Sequence, residues 1–443
     1  MARLVYTSIF IIYKLLSKLT HSRPKKPEPE VLKPDINLNL YGPKRVLKFT
    51  PQQKEKKNVF HFATHVNPKT EIKKYSTKIG FNLTQVDKME EGINVCEQGN
   101  KNCNEKVEAM CKGYDYLVFS NVIYEAKPFI KANCKAKILL HLTNPYDESV
   151  PETEKEGFKN LLKKAINADK VTFLVPFKVY LYHACEEGLN IQKYVNMRSS
   201  IYSPNNQNSY IQTLEETKPN LNQSIGVFNH NFQDSLVIKA FQEAEIPYEI
   251  INYDNVSPEL LAKYKAVIKM PNTPAPFSLL ENICNEVILY VPTREFLKEL
   301  HTQYPGEIEM SGYRRYLDLP KDKYSMIYEC YDSDLTPHII YFTSWKDLTS
   351  KLERFNERNK ESMLDRNREF TIYQEHENIY LWKTLLGYGT ETISSLLVHD
   401  DIPYCQMKSK DERNKLRNQQ RRIEIAGRKK KKPIKKNYAN QYS

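Results

Sequence analysis

The chain has 443 residues, of which 40% are hydrophobic, enough for two domains of ordinary size that each bury a core. These values exclude a small scaffold held together by disulfides alone. The formal net charge is +12, but residues 408–436 hold 14 Lys and Arg against three acidic residues. The rest of the chain is nearly neutral, so we expect no nucleic-acid partner except through that segment.

Residues 1–56 are predicted to form an apolar N-terminus followed by a linker or stem. The apolar run from Leu4 to Tyr13 is shorter than the roughly 20 residues that an ordinary membrane-spanning helix needs. A signal sequence, a short membrane anchor and an amphipathic surface helix all remain open. Residues 20–56 are rich in Pro and Lys and lack hydrophobic periodicity, which predicts a disordered stem.

From residue 57 onward, short apolar runs alternate with helical patterns. Residues 57–203 carry the strand patterns "KNVFHFATH", "YDYLVFSN", "AKILLHL" and "KVTFLVP". A polar linker at 204–223 precedes a second half, 224–400, with the strand patterns "SIGVF", "YEIINYD", "KAVIKMP" and "VILYVP". Such alternation is typical of parallel sheets with right-handed crossovers. The sequence therefore predicts an α/β protein with two doubly wound, Rossmann-like domains, whose ligand cleft lies at the carboxyl ends of the strands.

The end of the second half, from "HIIYFTSW" onward, is charged and is predicted to be helical. Phe342, Trp345, Leu348, Leu352 and Phe355 form a packing stripe, and a C-terminal helix is predicted to pack back across the first half. Residues 401–443 are predicted to be a disordered basic tail. Its role as a solvated tail, a ligand for anionic membranes or RNA, or a nuclear-localisation signal stays open.

Eight cysteines are scattered along the chain without a C-x-x-C pair, which argues against a zinc site. The run Cys96, Cys103 and Cys111 is compatible with a local disulfide in a secretory compartment, and free thiols are the alternative. A membrane or lumen of the secretory pathway is the favoured location, with the cytoplasm as the alternative.

The segment "KMPNTPAPFSLLENICNEVILYVPT", residues 269–293, combines a strand end, a stiff proline loop, a helix and a second strand. The helix is expected to begin at Ser278 or just upstream and to carry Glu281 in its first turn. Backbone N–H groups at such a helix start can bind phosphate oxygens, and a carboxylate there can accept hydrogen bonds from ribose hydroxyls. A glutamate that only complements the helix dipole is the alternative. Lys269 and Arg198 are candidate cations for a diphosphate.

The segment from Ile246 to Leu300, "IPYEIINYDN…REFLKEL", resembles the donor-binding half of the GT-B glycosyltransferases, in which a Pro/Ser loop precedes a glutamate-bearing helix and a strand. With "YFTSWKDL" and "ILLHLTNPYD", the resemblance covers about residues 57–386. It implies the GT-B architecture and makes Glu281 the ribose-binding residue. The other implied donor ligands are Thr273, Pro274, Ser278 and Asn282.

Two positions depart from the GT-B pattern. Thr273 stands where many retaining members carry a second glutamate, and Asn285 and Glu286 stand where a glycine is usual. Asparagine adopts the left-handed conformation that the glycine would provide, so Asn285 is expected to replace it.

A general base must deprotonate the acceptor hydroxyl from the cleft. Asp147, which follows a strand of the first half, and His230, at the matching strand end of the second half, are the predicted catalytic residues. An aspartate that only caps a turn is the alternative for Asp147. The acceptor side is predicted to be lined by Thr143, Asn144 and His65.

Three further residues have side chains that could act in catalysis or bind a metal ion, but each also has a structural interpretation. His61 flanks the end of the first strand as a candidate base, and because it alternates with apolar neighbours, burial in the strand is the alternative. Asp332 and Asp334 have D-x-D spacing but lie in a late polar loop, so they are interpreted as a turn. We expect no metal and no cofactor other than the donor substrate.

The predicted activity is transfer of a sugar from a nucleotide-diphosphate sugar to a hydroxyl of a glycan, protein or lipid, without a metal ion. One alternative is a catalytically degenerate GT-B-like binding or scaffold protein, for which Thr273 is the argument. The other is an RNA- or membrane-associated factor driven by the basic tail, whose binding would be lost with that tail.

Overall fold

The computed structural model describes residues 55–89, 101–132, 134–199, 224–228, 232–251, 257–271, 277–304, 328–388 and 392–399. The predictions for the N-terminal segment, the linker and the basic tail lie outside these residues. The described residues all belong to one compact unit, 47–443. None of the described helices is long and apolar enough to cross a membrane.

The first half begins with alternating strands and helices. Its strands are β1 (Asn58–Phe62), β2 (Asn82–Val86), β3 (Tyr116–Ser120), β4 (Lys137–His141), β5 (Val171–Val175) and β6 (Lys193–Asn196). Its helices are α1 (Val66–Ile79), α2 (Lys101–Gly113), α3 (Lys127–Lys131), α4 (Lys155–Asn167) and α5 (Lys178–Glu186). Short 3-10 turns at Ile123–Ala126 and Glu152–Glu154 precede α3 and α4.

The second half repeats the alternation. Its strands are β7 (Ile225–Phe228), β8 (Tyr248–Ile251), β9 (Ala266–Ile268), β10 (Leu289–Pro292) and β11 (Ile339–Phe342). Its helices are α6 (Phe232–Glu243), α7 (Pro258–Leu261), α8 (Phe277–Cys284), α9 (Arg294–Gln303) and α10 (Trp345–Arg354). Ser257 caps α7 by accepting the Leu260 N–H, as its position before Pro258 predicts.

Two sheets result. The first has the order β12-β6-β5-β4-β3-β1-β2, where β12 is Val398–His399, and the second has the order β11-β10-β9-β7-β8. All pairings are parallel except that of β12 with β6. Parallel strands place their carboxyl ends on one edge of each sheet, so the loops that follow the strands gather there. The predicted α/β class with two parallel sheets is confirmed.

A 29-residue helix, α11 (Glu357–Leu385), leaves the second half and packs on the first. Trp382 and Leu385 are buried against the face of the first sheet formed by Val118, Leu139 and Val195. The chain then adds β12 to the same sheet. The helix predicted to pack back across the first half is therefore confirmed, and the first sheet is completed by residues from the end of the chain.

The structure corrects one predicted element. Ile339–Phe342, placed by the sequence analysis in a helical region, is strand β11. The stripe from Phe342 to Phe355 is nonetheless a packing stripe, because Phe342, Leu348 and Leu352 are buried. It is formed by a strand end followed by α10, which begins at Trp345 after a Ser344 cap.

Candidate functional site

A chain of hydrogen-bonded side chains, buried except for half-buried Gln85, crosses four strands of the first sheet near their carboxyl ends. Gln85 Nε2 lies 2.8 Å from His61 Nδ1, His61 Nε2 lies 2.9 Å from Ser120 Oγ, and Ser120 Oγ lies 3.1 Å from His141 Nδ1. Gln85 Nε2 also donates to the Lys69 carbonyl at 3.1 Å, which fixes the orientation of the amide. His61 Nδ1 must then accept, so its Nε2 carries the proton.

The direction of hydrogen-bond donation also holds for the last contact, between Ser120 and His141. Because His61 donates to Ser120, the Ser120 hydroxyl hydrogen is free to point at His141, whose Nδ1 accepts it. Both histidines are therefore neutral in the folded protein. His61 is 0% exposed, as its alternation with apolar residues predicts, and His141 is 2% exposed. Burial lowers the pKa of His61 to about 3 and that of His141 to about 4.

This arrangement predicts a loss of stability in acid. An unfolded histidine titrates near pH 6.5, so below that pH protons bind the unfolded chain and not buried His141. The contribution of neutral His141 is fully present above about pH 6.5 and is lost as the pH falls towards 4. In His141→Asn, the pH dependence of the unfolding free energy between pH 6.5 and 4.5 should decrease by about 1.4 kcal/mol per pH unit.

Denaturant unfolding at a series of pH values measures that slope. His376→Asn, in which an exposed histidine of α11 is removed, is the control and should leave the slope as it is. An unchanged slope in His141→Asn would mean that His141 is protonated in the native state.

A second polar group joins β1, β3 and β4 at the same edge. Asn121 adopts a positive φ of 66° and donates to Thr143 Oγ1 from its backbone N–H at 2.9 Å and from its side chain at 2.8 Å. Its Oδ1 accepts the backbone N–H of His65 at 3.1 Å. Predicted acceptor-side residues Thr143 and His65 are thus brought together by Asn121, which the sequence analysis missed. Thr143 is buried, His65 is exposed and Asn144 is half-buried.

Asp147 follows β4 and meets a histidine of α5. His183 Nε2 lies 2.8 Å from Asp147 Oδ1, and the Tyr146 ring packs beside the imidazole at 6.0 Å. Burial acts to raise the pKa of Asp147, but the hydrogen bond and charge of His183 outweigh it, and the pKa lies below its ordinary value. The carboxylate can only accept, so His183 Nε2 donates to it, and in the neutral imidazole Nδ1 is the nitrogen that can take a proton. A histidine oriented by a carboxylate is a general-base arrangement, and the sequence analysis found only its aspartate.

At the second sheet, a buried cation lies beside the start of α8. Lys269 directly follows β9, is 6% exposed, and donates from Nζ to Ser278 Oγ at 3.2 Å. Its ammonium forms no ion pair with any described residue. Ser278 is the second residue of α8, so a positive charge and the N–H groups that have no acceptor within the helix lie side by side. That combination is suited to an anionic group.

Glu281 lies further along α8 than predicted. The helix begins at Phe277, so Glu281 opens its second turn and the first turn has no acidic residue. Glu281 therefore interacts less favourably with the helix dipole than a carboxylate in the first turn would. Spacings of three and four place Glu281 and Asn282 on the same side of α8 as Ser278. Burial, and then the neighbouring Glu259, raise the pKa of Glu281 to about 7.

The turn after α8 also differs from expectation. The residue with positive φ is Glu286, at 65°, and not Asn285. Asn285 instead donates its side chain to the Glu281 carbonyl at 2.8 Å. Arg368 of α11 holds both carboxylate oxygens of Glu286, at 3.0 and 2.9 Å. A glutamate therefore occupies the left-handed position, fixed by a bidentate ion pair.

Arg198 follows β6 and links the two halves. It is 9% exposed and pairs with Asp332 at 2.8 Å and with Asp334 at 3.0 Å. Asp332 Oδ1 accepts the Asp334 N–H, which confirms the interpretation of this pair as a turn. Asn378 of α11 donates to the Arg198 carbonyl at 2.7 Å. Arg198 is thus engaged in joining the halves, and its predicted diphosphate role stays a prediction.

Three predicted site residues, Thr273, Pro274 and His230, lie outside the described residues. Within the described part of the chain, no group of three or more His, Cys, Asp or Glu is placed to hold a metal ion.

Cys111 is bonded to Cys134, and Cys103 and Cys185 are also disulfide-bonded. Cys284 and Cys330 are buried free thiols.

A cavity of about 1010 Å³ lies at the opposite edge of the first sheet. It is lined by the amino ends of β3 and β4 and by the Cys111–Cys134 disulfide, with five lysines around it. None of the predicted site residues lines it. The polar groups at the carboxyl ends of the strands are therefore the candidate site.

Comparisons with known proteins show distant likenesses only. No protein-family model matches the chain. No curated protein has significant sequence similarity to it. The solved structure of spinosyn forosaminyltransferase SpnP aligns over 75% of this chain and 100% of its own, with a TM-score of 0.39 and 10% identity. HepE of Anabaena, in complex with UDP and glucose, aligns over 75% of this chain and 100% of its own, with a TM-score of 0.44 and 9% identity.

Because these scores are low, we assign the fold from the strand order itself. Two parallel α/β sheets with a long helix returning from the second to the first define the class of this protein. This architecture agrees with the GT-B arrangement that the sequence resemblance implies.

Proposed function

We propose that this protein is a glycosyltransferase that transfers a sugar from a nucleotide-diphosphate sugar to an acceptor hydroxyl without a metal ion. The observation that carries the proposal is the buried ammonium of Lys269 beside the start of α8. A buried cation without an ion-pair partner among the described residues is costly unless a ligand supplies the anion. The diphosphate of a donor supplies two negatively charged groups.

The donor half acts through electrostatics and hydrogen bonds. Lys269 and the N–H groups of α8 hold the diphosphate and stabilise the negative charge that grows on it as it leaves. Glu281, one turn along the same side of α8, accepts a hydrogen bond from a ribose hydroxyl. Ser278 orients the Lys269 ammonium.

The acceptor half supplies the base. His183 Nδ1 takes the proton of the acceptor hydroxyl, and Asp147 stabilises the imidazolium that forms. The acceptor oxygen bonds to the anomeric carbon of the sugar as the bond from that carbon to the diphosphate oxygen breaks. Thr143, Asn121 and His65 form the neighbouring surface at the strand ends.

The compartment is inferred from the cysteines. Four described cysteines are disulfide-bonded, namely Cys103, Cys111, Cys134 and Cys185. Disulfides persist in secreted proteins and in the lumen of the secretory pathway and are rare in the cytosol. This supports an acceptor glycan, protein or lipid that is exposed to such a lumen.

Nucleotide binding tests the proposal directly. Thermal unfolding of the full chain is measured with UDP, GDP, ADP and CMP. A nucleotide at about one hundred times its dissociation constant should stabilise the wild-type protein by about 2.7 kcal/mol. Lys269→Met and Glu281→Ala should each lose most of this stabilisation, compared with their own unfolding temperatures without nucleotide.

Lys239→Met is the matched control, because it removes an exposed lysine of α6 that pairs only with Glu243 among the described residues. It should respond to the nucleotide as the wild type does. If no nucleotide stabilises the wild-type chain, the donor site is wrong. Binding without sugar transfer from any donor would favour the degenerate scaffold.

A further inference from the structure

Glu329 belongs to a short turn that lies over the carboxyl edge of the second sheet. The 3-10 turn Glu329–Tyr331 is held by two hydrogen bonds to that sheet. Tyr331 Oη donates to the carbonyl of Pro292, the last residue of β10, at 2.9 Å, and Tyr341 of β11 donates to the Cys330 carbonyl. The turn is therefore fixed at the strand ends that also carry the candidate donor site.

The same turn lies close to Lys269. Burial raises the pKa of the Cys330 thiol to about 12, and the nearby ammonium of Lys269 opposes this shift. The Lys269 N–H donates to the Tyr290 carbonyl of β10 at 2.9 Å, two residues before the Pro292 carbonyl that binds Tyr331, so the turn and the buried lysine lie at neighbouring strand ends. The N-terminal residue of α5, Lys178, reaches the same neighbourhood from the first half, since its charge acts on Glu329.

The carboxyl group of Glu329 is buried but incompletely bonded. The residue is 5% exposed, and its Oε2 accepts no hydrogen bond from the described residues. Arg198 lies close enough for its charge to act on Glu329, but its ion pairs are with Asp332 and Asp334. A buried carboxylate oxygen without a donor is destabilising and is rare in native proteins. A ligand with a hydroxyl or N–H group can donate the missing hydrogen bond to this oxygen.

A donor sugar has this chemistry. The sugar is attached directly to the diphosphate, so its hydroxyls lie within a few bonds of the group that Lys269 would hold. We propose that Glu329 binds a hydroxyl of the donor sugar and so selects the sugar, as distinct from the nucleotide. This inference rests on the proposed function and adds a residue that neither the sequence pattern nor the resemblance indicates.

The test separates nucleotide from sugar. Isothermal titration of the full chain compares UDP with UDP-glucose, UDP-galactose and UDP-N-acetylglucosamine, and compares GDP with GDP-mannose and ADP with ADP-glucose. Glu329→Gln keeps the size of the side chain but replaces one carboxyl oxygen by an NH2 group that can only donate. It should leave the dissociation constant of the free diphosphate within about twofold and weaken the matching nucleotide sugar about tenfold or more.

Glu329→Asp, which keeps the carboxyl group but withdraws it by one methylene, should weaken the sugar nucleotide in the same selective way. Glu295→Gln, at an exposed position of α9, is the control and should bind both ligands as the wild type does. Equal binding of the sugar nucleotide by wild type and Glu329→Gln, or equal loss of nucleotide and sugar nucleotide, would overturn this inference alone. A wild-type chain that binds none of the free diphosphates would overturn the proposed function, and this inference with it.

Discussion

Replacing Trp382 by alanine should lower the free energy of unfolding by about 3–5 kcal/mol, the usual cost of truncating a buried tryptophan. Trp382 lies near the end of α11, is 1% exposed, and packs with its ring centroid 6.4 Å from that of Phe81. It belongs to the cluster that seals α11 onto the first sheet. The alanine variant therefore loses apolar contacts and also weakens the connection between the two halves.

Denaturant unfolding of the full chain measures this cost. Ile372→Ala is the matched control on the same helix, because Ile372 is 57% exposed and its truncation should change stability by less than about 0.5 kcal/mol. Trp382→Phe is a second control. The indole Nε1 is buried without an acceptor among the described residues, so phenylalanine removes an unsatisfied donor while keeping an aromatic ring. A cost for Trp382→Ala as small as that of the Ile372 control would show that α11 is not anchored there.

The second large effect concerns catalysis. In His183→Asn, sugar transfer should fall by about 10²–10⁴-fold in kcat, the usual contribution of a positioned general base. Affinity for the nucleotide should stay as in the wild type, because His183 belongs to the first half and the donor residues to the second. Release of the nucleotide diphosphate from the donor that binds is the assay.

Asp147→Asn should also lower kcat, since it removes the carboxylate that orients His183 and stabilises its protonated form. The double variant should be no slower than His183→Asn, because two residues that act as one unit are not additive. His376→Asn, at an exposed position of α11, should have wild-type kcat. Additive losses in the double variant, or a matching loss of nucleotide affinity in His183→Asn, would contradict the base role.

Much of the fold could be predicted from the sequence because its strands are short apolar runs between helical patterns. β3, β4, β5 and β7 were found within a residue or two of their bounds in this way. β2 was not, because "NLTQV" is half polar and lies at the edge of the first sheet, where burial is incomplete. β12 has only two residues, and it is a strand only because β6 lies beside it. No local pattern contains that information.

The candidate site could be predicted only in part, for a similar reason. Lys269 and Ser278 were predicted together because the strand-loop-helix pattern brings them close in sequence. His183 was missed because it lies in a helix 36 residues after Asp147, and only the order of β4 and β5 in the sheet brings the two together. Glu329 was missed because a lone glutamate before a polar loop has no pattern of its own. Its burial, and the lack of a donor to its Oε2 among the described residues, are properties of the folded chain.

The return of α11 and β12 has a consequence for how the protein is made. The apolar face formed by Val118, Leu139, Leu174 and Val195 is translated before residue 200, but the part of its cover that α11 supplies is translated after residue 356. The hydrogen bond from the Lys57 N–H to Tyr388 Oη spans 331 residues, so closure of the first sheet involves contacts of very long sequence separation. While the second half is being synthesised, the part of that face that α11 later covers is a hydrophobic surface open to chaperones and to other nascent chains. The half that leaves the ribosome first is the last to be completed.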